Sequence, residues 1–254
     1  MDKTASRPVR IAIDIGGTFT DLQFFDARTE KVHAWKTPTT PQDPSIGLMT
    51  GVKEGAERFG FALSDVGLLL HGTTIATNAV LERKLAKGVL VTTAGFEDVL
   101  EINRHVRRDI YGPAPEPFPT LIPRDRRLGV PERMRADGTA EIALDEASVP
   151  ALVAKLDALG AECVAVSLLN AYANPAHERR LAELLRAARP GIPVSLSCEI
   201  SPEIREYERT STTVLNALLV PVVKAYLDRL EKRLGEDGFH PLVFLVQSNG
   251  GVCS

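Results

Sequence analysis

The sequence contains few cysteines: Cys163, Cys198 and Cys253 are three among 254 residues, odd in number and far apart. That excludes a disulfide framework and a CxxC metal site, and it fits a reducing compartment. Long hydrophobic runs are missing as well. None reaches the ~18 residues of a membrane span, and "MDKTASRPVR" leads into a strand pattern without an apolar signal core. Charge of one sign is not in excess, since the net charge is −3 and no polybasic block occurs. Neither nucleic acid nor an anionic membrane is therefore expected as a partner. No two histidines have metal-ligand spacing, and Ser248 lacks a GxSxG context, which leaves no serine triad to build. Internal repeats are absent, and the one biased tract is the proline loop "YGPAPEPFPTLIP". The chain reads as soluble and cytoplasmic.

What is present is an ordinary globular composition, 44% apolar and 25% charged, with enough length for one large domain or two small ones. Three strands are predicted at 9–15, 19–26 and 31–37 as a meander, then a helix ending at Gly60. A buried strand, "VGLLLH", meets a helix that begins after "HGTT". "KGVLVTT" is another strand, and Asp137-Gly138 marks a hairpin turn. From Asp145 onward, helix and strand alternate, which predicts a parallel sheet with crossover helices. A long helical pattern over 202–234 contains Pro221 as a kink site and leads to a buried strand ending in "QSNGG". A strand running into such a turn normally continues, so the chain reads as cut within a domain.

The stretch "IAIDIGGTFTDLQFFD" carries the densest chemistry. A strand–Gly-Gly–strand turn presents backbone N–H groups in a concavity that suits a phosphate. Gly16 and Gly17 let a ligand approach the backbone, and Thr18 and Thr20 add hydroxyl donors. Asp14 and Asp21 would repel bare phosphate, but they suit a hydrated Mg²⁺ between them and the phosphates. The spacing is neither GxGxxG nor a Walker A loop. On spacing alone, a tight hairpin with two solvated aspartates is as good a reading.

"HGTTIATN" groups His71, Thr73, Thr74, Thr77 and Asn78 at a strand-to-helix junction, a place suited to a carbonyl, carboxylate or phosphate oxygen. His71 could polarise a carbonyl or move a proton. Equally, a threonine could simply cap the helix while His71 is hydrogen-bonded in the core. "REYER" at 205–209 reads as a solvated helix face, with a lesser case for Glu206 or Arg209 facing a cleft. His33, His177 and His240 stand alone and read as structural. Ser248 and Asn249 should emerge at a strand's C-terminal end, where open α/β sheets bind ligands; the alternative is a plain turn.

"DIGGTFTD" resembles the first phosphate loop of the actin, Hsp70 and sugar-kinase ATPase superfamily. With "HGTTIATNAVLER", "GVLVTTAGFEDVLEINR", "EISPEIREYERTSTTVLNA" and "QSNGG", the chain resembles the N-terminal half of the hydantoinase A/5-oxoprolinase family. The resemblance implies an RNase H-like α/β fold: a mixed sheet with helices on both faces and an inserted or second α/β subdomain. It implies an N-terminal lobe over 1–135, its α/β continuation over 136–200, and the start of a hydantoinase A core from 201. The implied activity uses ATP and Mg²⁺ to phosphorylate the oxygen of a lactam, hydantoin or ketone, ahead of ring opening or carboxylation. Asp14 and Asp21 would serve Mg²⁺, Gly16 to Thr18 the phosphate, and His71 to Asn78 the acceptor. Expected partners are a C-terminal half or a hydantoinase B-type subunit, in an oligomer. The alternatives are an inert nucleotide-binding lobe and a sugar or acyl kinase. "NRHVRRDIY" departs from the family's Arg-Gln-x-Arg stretch, so no substrate role is assigned to His105 or Arg107.

Overall fold

The computed structural model describes residues 7–40, 42–104, 119–247 and 249–253; His105, Arg107, Ser248 and most of the proline loop lie outside these. The chain opens with β1 (Val9–Ile15), β2 (Phe19–Asp26) and β3 (Lys31–Pro38), then α1 (Pro44–Phe59), β4 (Val66–Thr73) and α2 (Ile75–Leu81). Next come β5 (Gly88–Thr93), α3 (Val99–Ile102), β6 (Arg127–Val130), β7 (Arg133–Met134) and β8 (Ala140–Ile142). The alternation that follows is α4 (Val149–Ala158), β9 (Cys163–Ser167), α5 (Ala176–Ala188), β10 (Val194–Leu196) and α6 (Ser197–Ile200). The long α7 (Glu206–Glu236) then leads to β11 (Leu242–Val246) and β12 (Val252–Cys253). By packing, these form two compact units, 1–83 with 223–254, and 84–222.

The first unit is built on a six-stranded mixed sheet in the order β12-β11-β4-β1-β2-β3. β1, β2 and β3 form the antiparallel meander, while β4 and β11 join parallel to β1. Alternation in β1 sends Val9, Ile11, Ile13 and Ile15 to one face, where they meet Leu48, Met49 and Val52 of α1 and Tyr226, Leu230 and Leu234 of α7. Asp43 caps α1 by accepting from the Ser45 N–H at 3.2 Å, and it also accepts from Arg233 of α7 at 2.9 Å. Gly60 ends α1 with φ +73°, as its position in the sequence predicts. The other face of the sheet, with Arg10, Ala12, Asp14, Val32, Leu68 and Leu70, stays exposed or half-buried. Among the described residues, helices cover one face of this sheet.

The second unit has a four-stranded, wholly parallel sheet in the order β10-β9-β5-β6. Here both faces are covered. Val89, Val91, Val164 and Val166 pack against Leu152 and Leu156 of α4 and Leu181 and Leu185 of α5. On the reverse, Leu90, Cys163 and Ala165 pack against Leu100 of α3 and Val214, Ala217 and Leu218 of α7. The Asp137-Gly138 turn joins β7 to β8, with Gly138 at φ +83°. α7 runs through Pro221 without ending. By length and composition α7 could cross a membrane, but its apolar residues enter the cores just described.

"REYER" is not a solvated helix face. Arg209 is fully buried, donating to the Ser197 hydroxyl at 3.1 Å, to the Glu203 and Leu168 carbonyls at 3.0 Å, and to Glu206. The Glu178 carboxylate, equally buried, accepts from Leu168 N–H at 2.8 Å, Ser197 Oγ at 2.6 Å and Cys198 N–H at 2.9 Å. Burial raises its pKa, and those three donors oppose the rise.

Candidate functional site

Because β1, β4 and β11 are parallel, their carboxyl ends lie along one edge of the first unit's sheet. Ile15 pairs with Thr73, and Leu245 with His71, so Gly16–Thr18, Thr73–Asn78 and the turn after Val246 emerge at that edge. Three motifs separated by up to 230 residues in the chain are thus neighbours on one sheet. Carboxyl ends of strands in open α/β sheets are where ligands bind.

The glycine loop is held by a residue that sequence reasoning passed over. Thr39, just past β3, donates from Oγ1 to the Gly16 carbonyl at 3.0 Å and from its N–H to the Thr18 carbonyl at 2.9 Å. The Gly16 N–H closes on the Phe19 carbonyl at 3.0 Å, and a Cβ at Gly16 would sit 3.1 Å from that same oxygen. The N–H groups of Gly17 and Thr18 have no partner among the described residues, and both residues are exposed. A loop tied down through its carbonyls, with two free amides outward, fits an anion. No local signal marked Thr39, since its partners lie about twenty residues upstream.

Thr20 does not join that set. It is fully buried, and its hydroxyl is 3.0 Å from Thr39 Oγ1. Its place opposite Ile15 turns it toward the core face, so it braces the loop and leaves Thr18 as the exposed hydroxyl. Asp14 and Asp21 are directly opposite across β1 and β2. Asp21 pairs with Lys36 at 3.0 Å, both more than half exposed. Asp14 has no hydrogen bond or ion pair among the described residues. Two adjacent exposed carboxylates beside a loop of free amides meet the modest protein ligation that Mg²⁺ requires.

His71 is placed differently from the expectation of an acceptor-side catalyst. Pairing with Ile13 sends it to the helix-covered face, opposite to Asp14, where it has no exposed surface. Its Nε2 is hydrogen-bonded with the Tyr226 hydroxyl at 2.7 Å, and Nδ1 has no partner. Burial lowers its pKa to about 4, so the ring is neutral at pH 7. This is the hydrogen-bonded core histidine that the sequence left open as an alternative.

The remaining residues are mostly engaged locally. Thr73 Oγ1 accepts from the Ile75 N–H at 3.2 Å at the start of the seven-residue α2, whose N-cap Thr74 makes no side-chain cap of its own. Asn78 Nδ2 donates to Thr74 Oγ1 at 3.3 Å, and Thr74 reaches the Ile15 carbonyl at 3.4 Å. Thr77 is exposed. Between β11 and β12, Asn249 Oδ1 accepts from the Gly251 N–H at 2.8 Å. Asn249 therefore shapes the turn.

Comparison with known proteins agrees with this frame. The model of the hydantoinase/oxoprolinase N-terminal region matches residues 10–188, and the hydantoinase/oxoprolinase model matches residues 209–254. The alpha subunit of caprolactamase from Pseudomonas jessenii is 36% identical over 249 residues, covering 96% of this chain and 36% of the relative. The acetophenone carboxylase gamma subunit of Aromatoleum aromaticum is 35% identical over 260 residues, covering 95% of this chain and 35% of the relative. The crystal structure of ATP-dependent caprolactamase from Pseudomonas jessenii matches with TM-score 0.87 over 96% of this chain and 36% of that one. A nucleotide-free acetone carboxylase structure matches with TM-score 0.82 at 28% identity, over 98% of this chain and 37% of that one. The chain belongs to the hydantoinase/oxoprolinase family. It spans about a third of the length of the relatives named here, 36% and 35%.

Proposed function

We propose that this chain supplies the first phosphate-binding loop of an ATP-dependent enzyme of RNase H-like, actin-type fold. The enzyme phosphorylates the oxygen of a lactam, hydantoin or ketone, which is then opened by water or carboxylated. The observation that carries the reading is the glycine loop stapled by Thr39, with the free amides of Gly17 and Thr18 beside Asp14. The amides hold phosphate oxygens, and Thr18 offers its hydroxyl to them. Asp14, with Asp21, would hold Mg²⁺ through its waters, and the ion would supply charge neutralisation at the phosphates. Catalysis of this type rests on positioning and electrostatic stabilisation, so a rigid loop matters more than a strong acid or base. Thr73 and Thr74, at the adjacent strand end, are the nearest of the expected acceptor-side residues to the loop by register.

The names of the relatives support the substrate class: caprolactamase acts on a lactam, and acetophenone carboxylase on a ketone. Their subunit designations support a partner subunit; in this reading it is a C-terminal half or a hydantoinase B-type subunit, in an oligomer in the cytoplasm. The test is calorimetry of ATP with and without Mg²⁺ on this chain and on Asp14→Asn. The expected outcome is Mg²⁺-dependent binding by the parent that weakens at least about tenfold in the variant, the loss of one carboxylate ligand or its water bridge. Binding that ignores both Mg²⁺ and the substitution would remove Asp14 from the site.

A further inference from the structure

We infer that His177 is a proton-transfer site of the second unit, with Nε2 poised to take a proton from the O–H of a bound water, alcohol or enol. This goes beyond the phosphate site and does not depend on it. Among the described residues, this is the one polar constellation of the parallel sheet that includes an imidazole.

The group is assembled from three carboxyl ends of parallel strands. Thr93 is the last residue of β5, Glu132 lies two beyond β6, and Leu169 two beyond β9; His177 is the second residue of α5. β5 connects onward to β6 on one side and its neighbour β9 to β10 on the other, so the chain leaves these adjacent strands in opposite directions, as at the ligand-binding crevices of open α/β sheets. The Glu132 side chain has no exposed surface, whereas that of His177 is 14% exposed.

The direction of each hydrogen bond follows from the first. The Leu169 N–H donates to Thr93 Oγ1 at 2.9 Å, so the Thr93 hydroxyl hydrogen is free to go to Glu132 Oε1, with which it is bonded. Glu132 Oε2 is 2.8 Å from His177 Nδ1. A carboxylate already accepting on one oxygen accepts on the other as well, which places the ring hydrogen on Nδ1 and the lone pair on Nε2. Among the described residues Nε2 has no partner, and it is not one of the unpartnered atoms sealed from solvent. In the transfer, the ligand's O–H bond breaks and an Nε2–H bond forms. The resulting imidazolium stays paired to the Glu132 carboxylate, while the ligand oxygen keeps the electron pair.

The same wiring makes the proposal testable. In Glu132→Gln, Thr93 still donates to the amide oxygen, because the opposite orientation leaves its hydroxyl hydrogen without an acceptor. The amide NH₂ then faces Nδ1 and drives the ring to its Nε2–H form, removing the outward lone pair. Long-range ¹⁵N–¹H NMR reads the tautomer of His177 in the full chain. Diethyl pyrocarbonate, with modified sites located by mass spectrometry, reads the accessibility and basicity of Nε2. The expected result is an Nδ1–H ring in the parent and an Nε2–H ring in Glu132→Gln. His177 acylation should fall about tenfold or more in that variant, with exposed His240 unchanged as reference. A ring whose hydrogen is not placed by Glu132, or whose Nε2 is closed to solvent, would keep both its tautomer and its reactivity in that variant. An Nε2–H ring in the parent, or a His177 inert to the reagent while His240 reacts, overturns the proposal even if Glu132→Gln does not fold.

Discussion

Burial holds the His71 imidazole down at about 4 against an ordinary 6.5, with only Tyr226 to satisfy it. The unfolded chain therefore takes up a proton on acidification that the folded chain refuses. Since the unfolded state binds more protons between pH 6.5 and about 4, the stability contributed by the neutral ring is full above 6.5. It falls away as pH drops through that window, by about 3 kcal/mol in all. His71→Gln lacks this liability. Its stability deficit relative to the parent at pH 7 should shrink steadily toward pH 4.5 in urea unfolding; a deficit that stays constant with pH would contradict the assignment. The same residue shows how far local reading goes. Its motif "HGTT" was visible, but whether the ring faces a ligand or the core is a matter of strand parity against β1, and pairing with Ile13 decides it.

Among the elements, α1 shows close approach most directly. Gly47, Gly51 and Gly55 recur every four residues and let the helix lie on β2: a Cβ would come within 2.6 Å of Leu22 Cδ1 at Gly51 and 2.3 Å of Phe24 Cζ at Gly55. Gly55→Ala gains ~1 kcal/mol of helix propensity but forces an overpacking cost of about 1–3 kcal/mol. The net expectation is a lower melting temperature. Gly235, inside α7 with nothing within 4 Å of its added Cβ, is the control. Gly235→Ala should raise stability by up to ~1 kcal/mol, and opposite shifts in thermal unfolding are the check. The helix itself was legible from its spacing and its Gly60 stop, because a glycine stop is local, whereas its Asp43 cap came from the structure. The burial of Arg209 and Glu178 was not. Their partners, Leu168, Ser197 and Cys198, come from other elements, so a charged run on a helix looked like solvated surface.

For the whole molecule, the division into two units gives the three thiols separate meanings. Cys163 and Cys198 belong to the second unit and Cys253 to the first. Burial pushes both Cys163 and Cys198 thiols up to about 12, with the nearby Glu162 and Glu178 charges adding to it, so neither is a thiolate near neutrality. A disulfide reagent at pH 8 should therefore modify half-buried Cys253 first. Cys163, fully buried, should react only at the rate at which the second unit opens. Reaction of Cys163 as fast as Cys253 in native buffer would contradict that packing.

The sequence alone determined the local geometry and the family: the β1–β2 meander with its glycine turn, the Gly60 helix stop, and five ordered motifs. Each depends on residues close together in the chain, where periodicity and turn chemistry act directly. The tertiary structure alone decided the pairing of β11 with β4, which brings distant motifs to one sheet edge. It also decided that Thr39 staples the loop, that Thr20 is buried while Thr18 is free, and that His71 lies in the core against Tyr226 while His177 pairs with Glu132. Those outcomes depend on which side chains meet across tens to hundreds of residues. Strand parity and burial set them, and no local pattern encodes either partner.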